Sequence, residues 1–396
     1  MHVPRELRQM ELEIASHFPQ LRPSQHSGLA LWVYGTILAK SACQNAVIVA
    51  LTTLGQWHAL RQRLREGLYD GQDKASACHT QVEICVCFEP LLQWVVSWWQ
   101  GTTIALGLDA TLLKDQTVAL VISVLYRGCA IPVAWTIVPA NQKGAWMPHI
   151  LGLLRQLRPA ISPDIDVLVL ADRGLWSPRL WRRIRRLHWH PLLRLQGAVT
   201  FAPDGHSRQP VRGLLPGPGY AWVGRGMAFC HRKIRGTLIL VWEEGHQDPW
   251  VVLTDILPDR VGIVWYGLRI WIELGFRALK GIGWQWQRTR RTDPTRIARY
   301  WLILAVATLW VMAYGTRVED AERLHRPPAK LLSPPPPISA QDAATAPQRR
   351  ASVFLQGWSW LQRTLGRGYL WTRLWLTPDP WPQPSLTLTI LSHGSP

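Results

Sequence analysis

Asp166-Val-Leu-Val-Leu-Ala171 is a short apolar run, closed on its C-terminal side by Asp172-Arg-Gly-Leu-Trp176. Runs of this length without polar alternation belong to strands buried on both faces, the kind found in sheets covered by helices. Upstream lie Ile104-Ala-Leu-Gly-Leu108, Val118 to Leu125 and Ile131-Pro-Val-Ala-Trp135, each bounded by polar or turn residues, which predict three consecutive strands. A helix is expected over about 144–157. Downstream, Ser177-Pro178 reads as an N-cap followed by proline at the first helical position, so a helix should run from Arg179 to about Leu187. Strands alternating with helices give an α/β core.

Residues 1 to about 95 have apolar positions at helical spacing and a basic cluster at Arg61, Arg63 and Arg65, with no strand pattern. Residues 196–262 are rich in Gly and Pro and contain β-like pieces such as Ala221-Trp-Val223 and Thr237 to Trp242, which reads as a mostly β insertion. Helical texture returns from Ile263 to about Thr316, interrupted near Gly281-Ile-Gly283 and at Asp293-Pro294. Six prolines between Pro327 and Pro337 predict an extended linker. The expected organisation is a helical region at 1–95, a core at 96–195 and 263–326 split by the insertion at 196–262, a Pro-rich linker at 327–350 and a tail at 351–396. The tail holds an amphipathic stretch but no chemistry.

The chain has 396 residues, 44 Lys+Arg against 26 Asp+Glu, and a formal charge of +18. Such an excess points to a polyanionic partner. Arg supplies most of the basic residues, and its planar guanidinium grips phosphate bidentately, which favours nucleic acid over a membrane surface. At 47% apolar with mean hydropathy near zero, the chain has ample material for packed domains. The longest apolar stretch, Tyr300 through Tyr314, is shorter than the roughly 20 residues that span a bilayer and reads as a core helix. The first residues carry Arg5, Glu6, Arg8 and Glu11 instead of a basic run before an apolar one, so no secretory signal is expected and the location is cytoplasmic. Six cysteines are too few for a disulfide scaffold; reduced thiols are expected.

Asp109 and Asp172 each follow an apolar run, at the C-terminal ends of predicted strands. Ligand sites of open α/β sheets gather at such ends, so the two carboxylates can lie side by side. Tyr266, Arg269, Glu273 and Lys280 are separated by three, four and seven residues, which at about 100° per residue keeps them within a sector of roughly 60° on one helix face. An ion-pair stripe such as Glu273–Arg277 would be worth only a few tenths of a kcal/mol, and it leaves the flanking Tyr, Arg and Lys unexplained. Three carboxylates from two strand ends and a helix make a site for hard cations such as Mg²⁺. Two ions about 4 Å apart serve in-line phosphoryl displacement.

The spacing Tyr-x2-Arg-x3-Glu-x6-Lys, met by Tyr266, Arg269, Glu273 and Lys280, resembles the signature of one large group of bacterial insertion-sequence transposases. Leu106-Gly-Leu-Asp109-Ala-Thr and Ala171-Asp172-Arg-Gly-Leu-Trp176 are similar to the contexts of that family's two aspartates. The likeness covers about residues 100–315. It implies a ribonuclease H-like catalytic core with a DDE triad of Asp109, Asp172 and Glu273 that also holds two Mg²⁺ ions, Mn²⁺ being an alternative. It further implies cleavage of double-stranded DNA at element ends and joining of the freed 3′-OH to target DNA. By the same likeness Tyr266, Arg269 and Lys280 contact phosphates, a tryptophan among Trp222, Trp242 and Trp250 stacks on an extruded base, and the helical N-terminal region reads terminal inverted repeats. Dimers acting on paired ends and a nucleoid-associated bacterial setting complete what the resemblance implies. A nuclease of the same fold without strand transfer, and a non-catalytic DNA-binding relic, are the alternatives.

Weaker signals remain. Cys78-His79 with Cys85-x-Cys87 fits no common structural zinc spacing. Arg179, Arg182, Arg183, Arg185 and Arg186 would let a helix follow a DNA backbone, as would Arg290-Arg291. Asp115, Asp164, Asp166, Asp255 and Asp259 lie in predicted turns or strand starts and lack basic partners in the sequence, and His149 and His188 have no visible mates.

Overall fold

The computed structural model describes residues 3–74, 80–113, 116–140, 146–196, 198–281, 283–339, 341–342, 349–365, 367–368, 370–371, 373–384 and 388–392. Among them, eleven strands form one sheet. β1 (Thr103–Leu113), β2 (Thr117–Tyr126) and β3 (Cys129–Pro139) make an antiparallel meander. β4 (Asp166–Ala171) joins β1 in parallel, and β5 (His190–Arg194) joins β4 in parallel.

The insertion is a continuation of this sheet. β10 (Trp250–Thr254) returns antiparallel to β5, and β9 (Ile234–Trp242), β8 (Tyr220–Ala228), β6 (Thr200–Pro203) and β7 (Gln209–Pro210) follow outward. β11 (Thr389–Ser392), from the tail, lies parallel to β8.

Residue alternation builds two cores. Ile104, Leu106 and Leu108 of β1 and Val167, Val169 and Ala171 of β4 point into the larger one. Ala105, Leu168 and Leu170 point to the other face, where Ile272 is buried. The larger core receives α5 (Phe88–Trp98), α6 (Trp146–Leu157) and α7 (Pro178–Arg186). As the sequence predicts, Ser177 caps α7: its Oγ accepts from the Leu180 N–H at 3.0 Å, ahead of Pro178. The opposite face is covered by α8 (Ile270–Lys280).

The apolar stretch from Tyr300 lies inside α9 (Pro294–Arg323), started by Asp293, whose Oδ1 accepts from the Arg296 N–H at 2.8 Å. A helix apolar all round belongs in an interior. By length and composition α9 suffices to cross a membrane, and its most apolar window is 94% buried within the fold. Its covers are N-terminal: α1 (Arg5–His17), α2 (Pro23–Ala39), α3 (Gln44–Ala50) and α4 (Trp57–Glu66) join α5 in the same core. From the other end of the chain, α10 (Val353–Thr364) crosses α9 so closely that a Cβ on Gly357 would lie 1.9 Å from the Val311 carbonyl oxygen. The proline segment holds one short 3-10 turn, Pro328–Lys330, and lies along α9 through the Arg317 Nε, which donates to the Pro328 carbonyl at 3.0 Å.

Candidate active site

The parallel ladder between β1 and β4 ends at the pair Leu108 and Ala171. The next residues are Asp109 and Asp172, so register alone sets the two aspartates side by side. Both continue the alternation Ala105, Gly107, Asp109 and Leu168, Leu170, Asp172, which faces α8. Asp109 does not end its strand, as the apolar run suggests. β1 continues to Leu113 because β2 keeps pairing with it after β4 has stopped.

α8 sits close on this face because two glycines clear its path. A Cβ on Gly107 would meet the Ile272 side chain at 2.5 Å, and one on Gly275 would meet Ala130 Cβ at 2.6 Å. The four spaced residues do not share one α-helix, as the 100° arithmetic supposes. Trp265–Arg269 is a 3-10 turn, and α8 starts at Ile270. At three residues per turn Tyr266 and Arg269 still stack, and the α-helical step of four then carries the line to Glu273.

The carboxylates meet at one side chain. Arg269 Nη2 donates to Asp109 Oδ2 at 3.1 Å and approaches Asp172 Oδ2 at 3.5 Å, while Nη1 donates to Glu273 Oε1 at 3.0 Å. Arg269 Nε is buried with no partner among the described residues. Asp109 accepts a further bond from the Ala110 N–H at 2.8 Å, and Asp172 accepts one from the Arg173 N–H. Burial raises the Asp109 carboxyl above its ordinary value despite the opposing pull of Arg269. Burial works against the Arg269 charge, and the surrounding Asp109, Tyr266, Asp172 and Glu273 outweigh it, so this guanidinium holds its proton more tightly than usual.

Tyr266 is buried, its ring edge-on to Trp250 at 5.6 Å, and its hydroxyl has no partner among the described residues. Burial raises that phenol well above its usual range, against the pull of Arg269 and Arg194 and helped by Asp172 and Asp109. Lys280 is half-buried at the end of α8, which lowers its pKa. It lines a cleft of about 370 Å³ with Thr111, Glu273, Phe276, Arg277 and Gly281. Thr111 was not singled out by sequence, although it lies two residues beyond Asp109 on the same strand face, and Arg277, one turn beyond Glu273, was read there only as an ion-pair partner.

As they stand, no three His, Cys, Asp or Glu side chains among the described residues are placed to hold a metal ion. The cation at the meeting point is the guanidinium. The donor set still suits a hard divalent ion, since three carboxylates from three elements converge on a single positive group.

The remaining candidates are dispersed. Trp222 is buried edge-on to Phe201, and the Trp242 indole N–H donates to the His246 carbonyl at 2.8 Å beneath Arg212. Trp250 touches a residue of the spaced set, Tyr266. On α7, Arg179, Arg182, Arg185 and Arg186 are exposed, as is Arg290, while Arg291 lies over the Tyr300 ring. Asp255 has the basic partners that its sequence context hides: Arg185 Nε at 3.2 Å and His190 Nδ1 at 3.0 Å. Cys78, His79 and Asp115 lie outside the described residues; Cys85 is exposed and Cys87 buried.

Residues 132–310 match the family model for the transposase DDE domain, a span that takes in Asp172, Arg269 and Glu273 and starts after Asp109. No curated protein matches the chain. Among solved structures it is similar to the piggyBac transposase synaptic complex with hairpin DNA, determined by cryo-EM, at 8% identity and a TM-score of 0.42 over 91% of this chain and 78% of that one. At that level of likeness nothing is carried across. By its family match the chain carries the domain of a DDE-type DNA transposase, an enzyme.

Proposed function

We propose that this protein cuts double-stranded DNA at the ends of an insertion sequence and joins the freed 3′-OH to target DNA. Asp109, Asp172 and Glu273 are the catalytic carboxylates, on a ribonuclease H-like core formed by β1 to β5 and α8. The observation that carries the reading is the convergence of these three side chains, from two strands and a helix, at one point of a +18 chain. The same carboxylates would hold two Mg²⁺ ions, or Mn²⁺, which when bound supply Lewis-acid activation of the attacking oxygen and charge stabilisation at the leaving one. Arg269 and Lys280 would hold the scissile strand's phosphates, the guanidinium through paired N–H donors and the ammonium as a point charge. Tyr266, buried beneath Arg269, would support that positioning with its free hydroxyl. Arg61 and Arg63, exposed on α4, are the basic residues of the N-terminal region suited to reading the ends, and a dimer would bring two ends together.

The test places the gene's own flanking DNA beside a reporter in a host free of the element. Excision and joining are expected with the wild type. Glu273→Gln should lower cleavage by more than about 100-fold, since even outer-shell partners of metal ligands are worth 10- to 100-fold, while end binding in a gel shift persists. Equal loss of binding and cleavage would overturn the assigned role of Glu273. Cut but unjoined ends would assign the protein to nucleases instead.

A further inference from the structure

Glu273, Asp109 and Asp172 are all engaged by Arg269, the residue whose sequence position marks it for a phosphate. Its two terminal nitrogens are divided among three carboxylates at 3.0, 3.1 and 3.5 Å, and its Nε is buried without a partner. A guanidinium in its preferred fork gives two parallel bonds to one anion. Here the fork is split and one donor is left bare, so the side chain fills the cluster with part of its bonding capacity unused. Its side chain is only 17% exposed and Asp109 only 18%, while Asp172 and Glu273 are more open at 35% and 52%, so the cluster is buried at its Asp109 end and meets solvent at Glu273.

A divalent ion such as Mg²⁺ takes carboxylate oxygens at about 2.0–2.1 Å. The guanidinium nitrogens stand 3.0–3.5 Å from those same oxygens. The two cations therefore compete for one place. Were Arg269 to move to solvent with nothing in its place, three carboxylates would be left repelling one another, Asp109 being the most buried of them. An entering divalent ion removes that repulsion by taking the place of the guanidinium among the carboxylates, and a DNA phosphate offers the departing fork a bidentate partner.

We propose that Arg269 is an internal cation that closes the carboxylate cluster in the DNA-free protein, and that an arriving DNA phosphate draws it out so that a divalent metal can enter. This inference rests on the catalytic reading of the cluster and adds its regulation. The apparent metal affinity of the free protein is reduced by the fraction of molecules in which the guanidinium has left, and phosphate binding restores it. Cleavage chemistry is thereby withheld until the substrate is seated.

The test locates a bound metal on the full-length protein. Fe²⁺ with ascorbate and peroxide cuts backbone beside the ion, and mass spectrometry maps the cuts. Wild type without DNA should be cut at least tenfold less near residues 109, 172 and 273 than Arg269→Ala without DNA. Wild type with a duplex of the flanking DNA should be cut like the variant. Arg269→Gln, of closer volume, replaces Arg269→Ala if thermal melting shows the alanine variant unfolded. Equal cutting at these positions in DNA-free wild type and the folded variant would overturn the closure by Arg269 and leave the catalytic reading standing. No cutting there in either the variant or the DNA complex would overturn the catalytic reading, and this inference with it.

Discussion

His190, at the start of β5, faces Asp255 at 3.0 Å, with Arg185 on the other Asp255 oxygen and Asp166 nearby. The hydrogen bond to Asp255 raises the His190 pKa above its ordinary value, against burial and Arg185. A raised native pKa means that protonated His190 favours the folded state. This contribution is complete below the unfolded value of about 6.5 and is lost as the pH rises through the higher native one. The His190 side chain is 39% exposed, so solvent screening holds the effect to about 1 kcal/mol or less. Wild-type Tm should fall relative to Asp255→Asn as the pH rises from about 6 to 8; parallel Tm profiles for the two proteins would refute it. The pair was illegible in the sequence because residues 190 and 255 meet only once β10 has returned to β5. Asp109 and Asp172 were legible for the opposite reason: each follows directly on its own apolar run, and a parallel register does the rest.

Among the elements, α8 makes the carboxylate cluster, because it brings Glu273 to two strands far away in sequence. Its seat depends on Gly275, where any side chain would strike Ala130, including the backbone nitrogen at 2.9 Å. Backbone cannot yield as a flexible side chain can. Gly275→Leu should therefore cost about 1–3 kcal/mol by overpacking, read as a lower urea midpoint. It should also lift Glu273 from the aspartates, so that cleavage falls well beyond the change in DNA binding. Cleavage unchanged in a destabilised variant would show that Glu273 does not need this seat. The sequence made α8 visible through its apolar positions Ile272, Phe276 and Leu279. It did not reveal the 3-10 turn before it, since three- and four-residue steps leave nearly the same pattern of side chains over so short a span.

At the scale of the whole molecule, the insertion and the tail are both parts of the main body. The mostly β texture of 196–262 was plain in its short apolar runs, whereas its attachment to β5 is a long-range pairing that no local pattern encodes. Likewise the amphipathic stretch of the tail did not name its partner, which is α9. Trp371 stacks on Tyr314 at 4.8 Å, the Trp375 indole N–H donates to Asp320 at 2.9 Å, and the buried Arg127 joins Glu319, Asp320 and Asp379. Deleting residues 351–396 should expose one side of α9, giving a protein that aggregates on purification or unfolds at much lower urea; an unaltered midpoint would contradict this. The same packing sets a problem for synthesis. α9 is synthesised before α10 and Trp371, and about 50 further residues take a few seconds at roughly 5–20 residues per second. During that interval the nascent chain displays a helix greasy enough for a bilayer, and it must be shielded by its N-terminal neighbours or by a chaperone before its own last segment arrives.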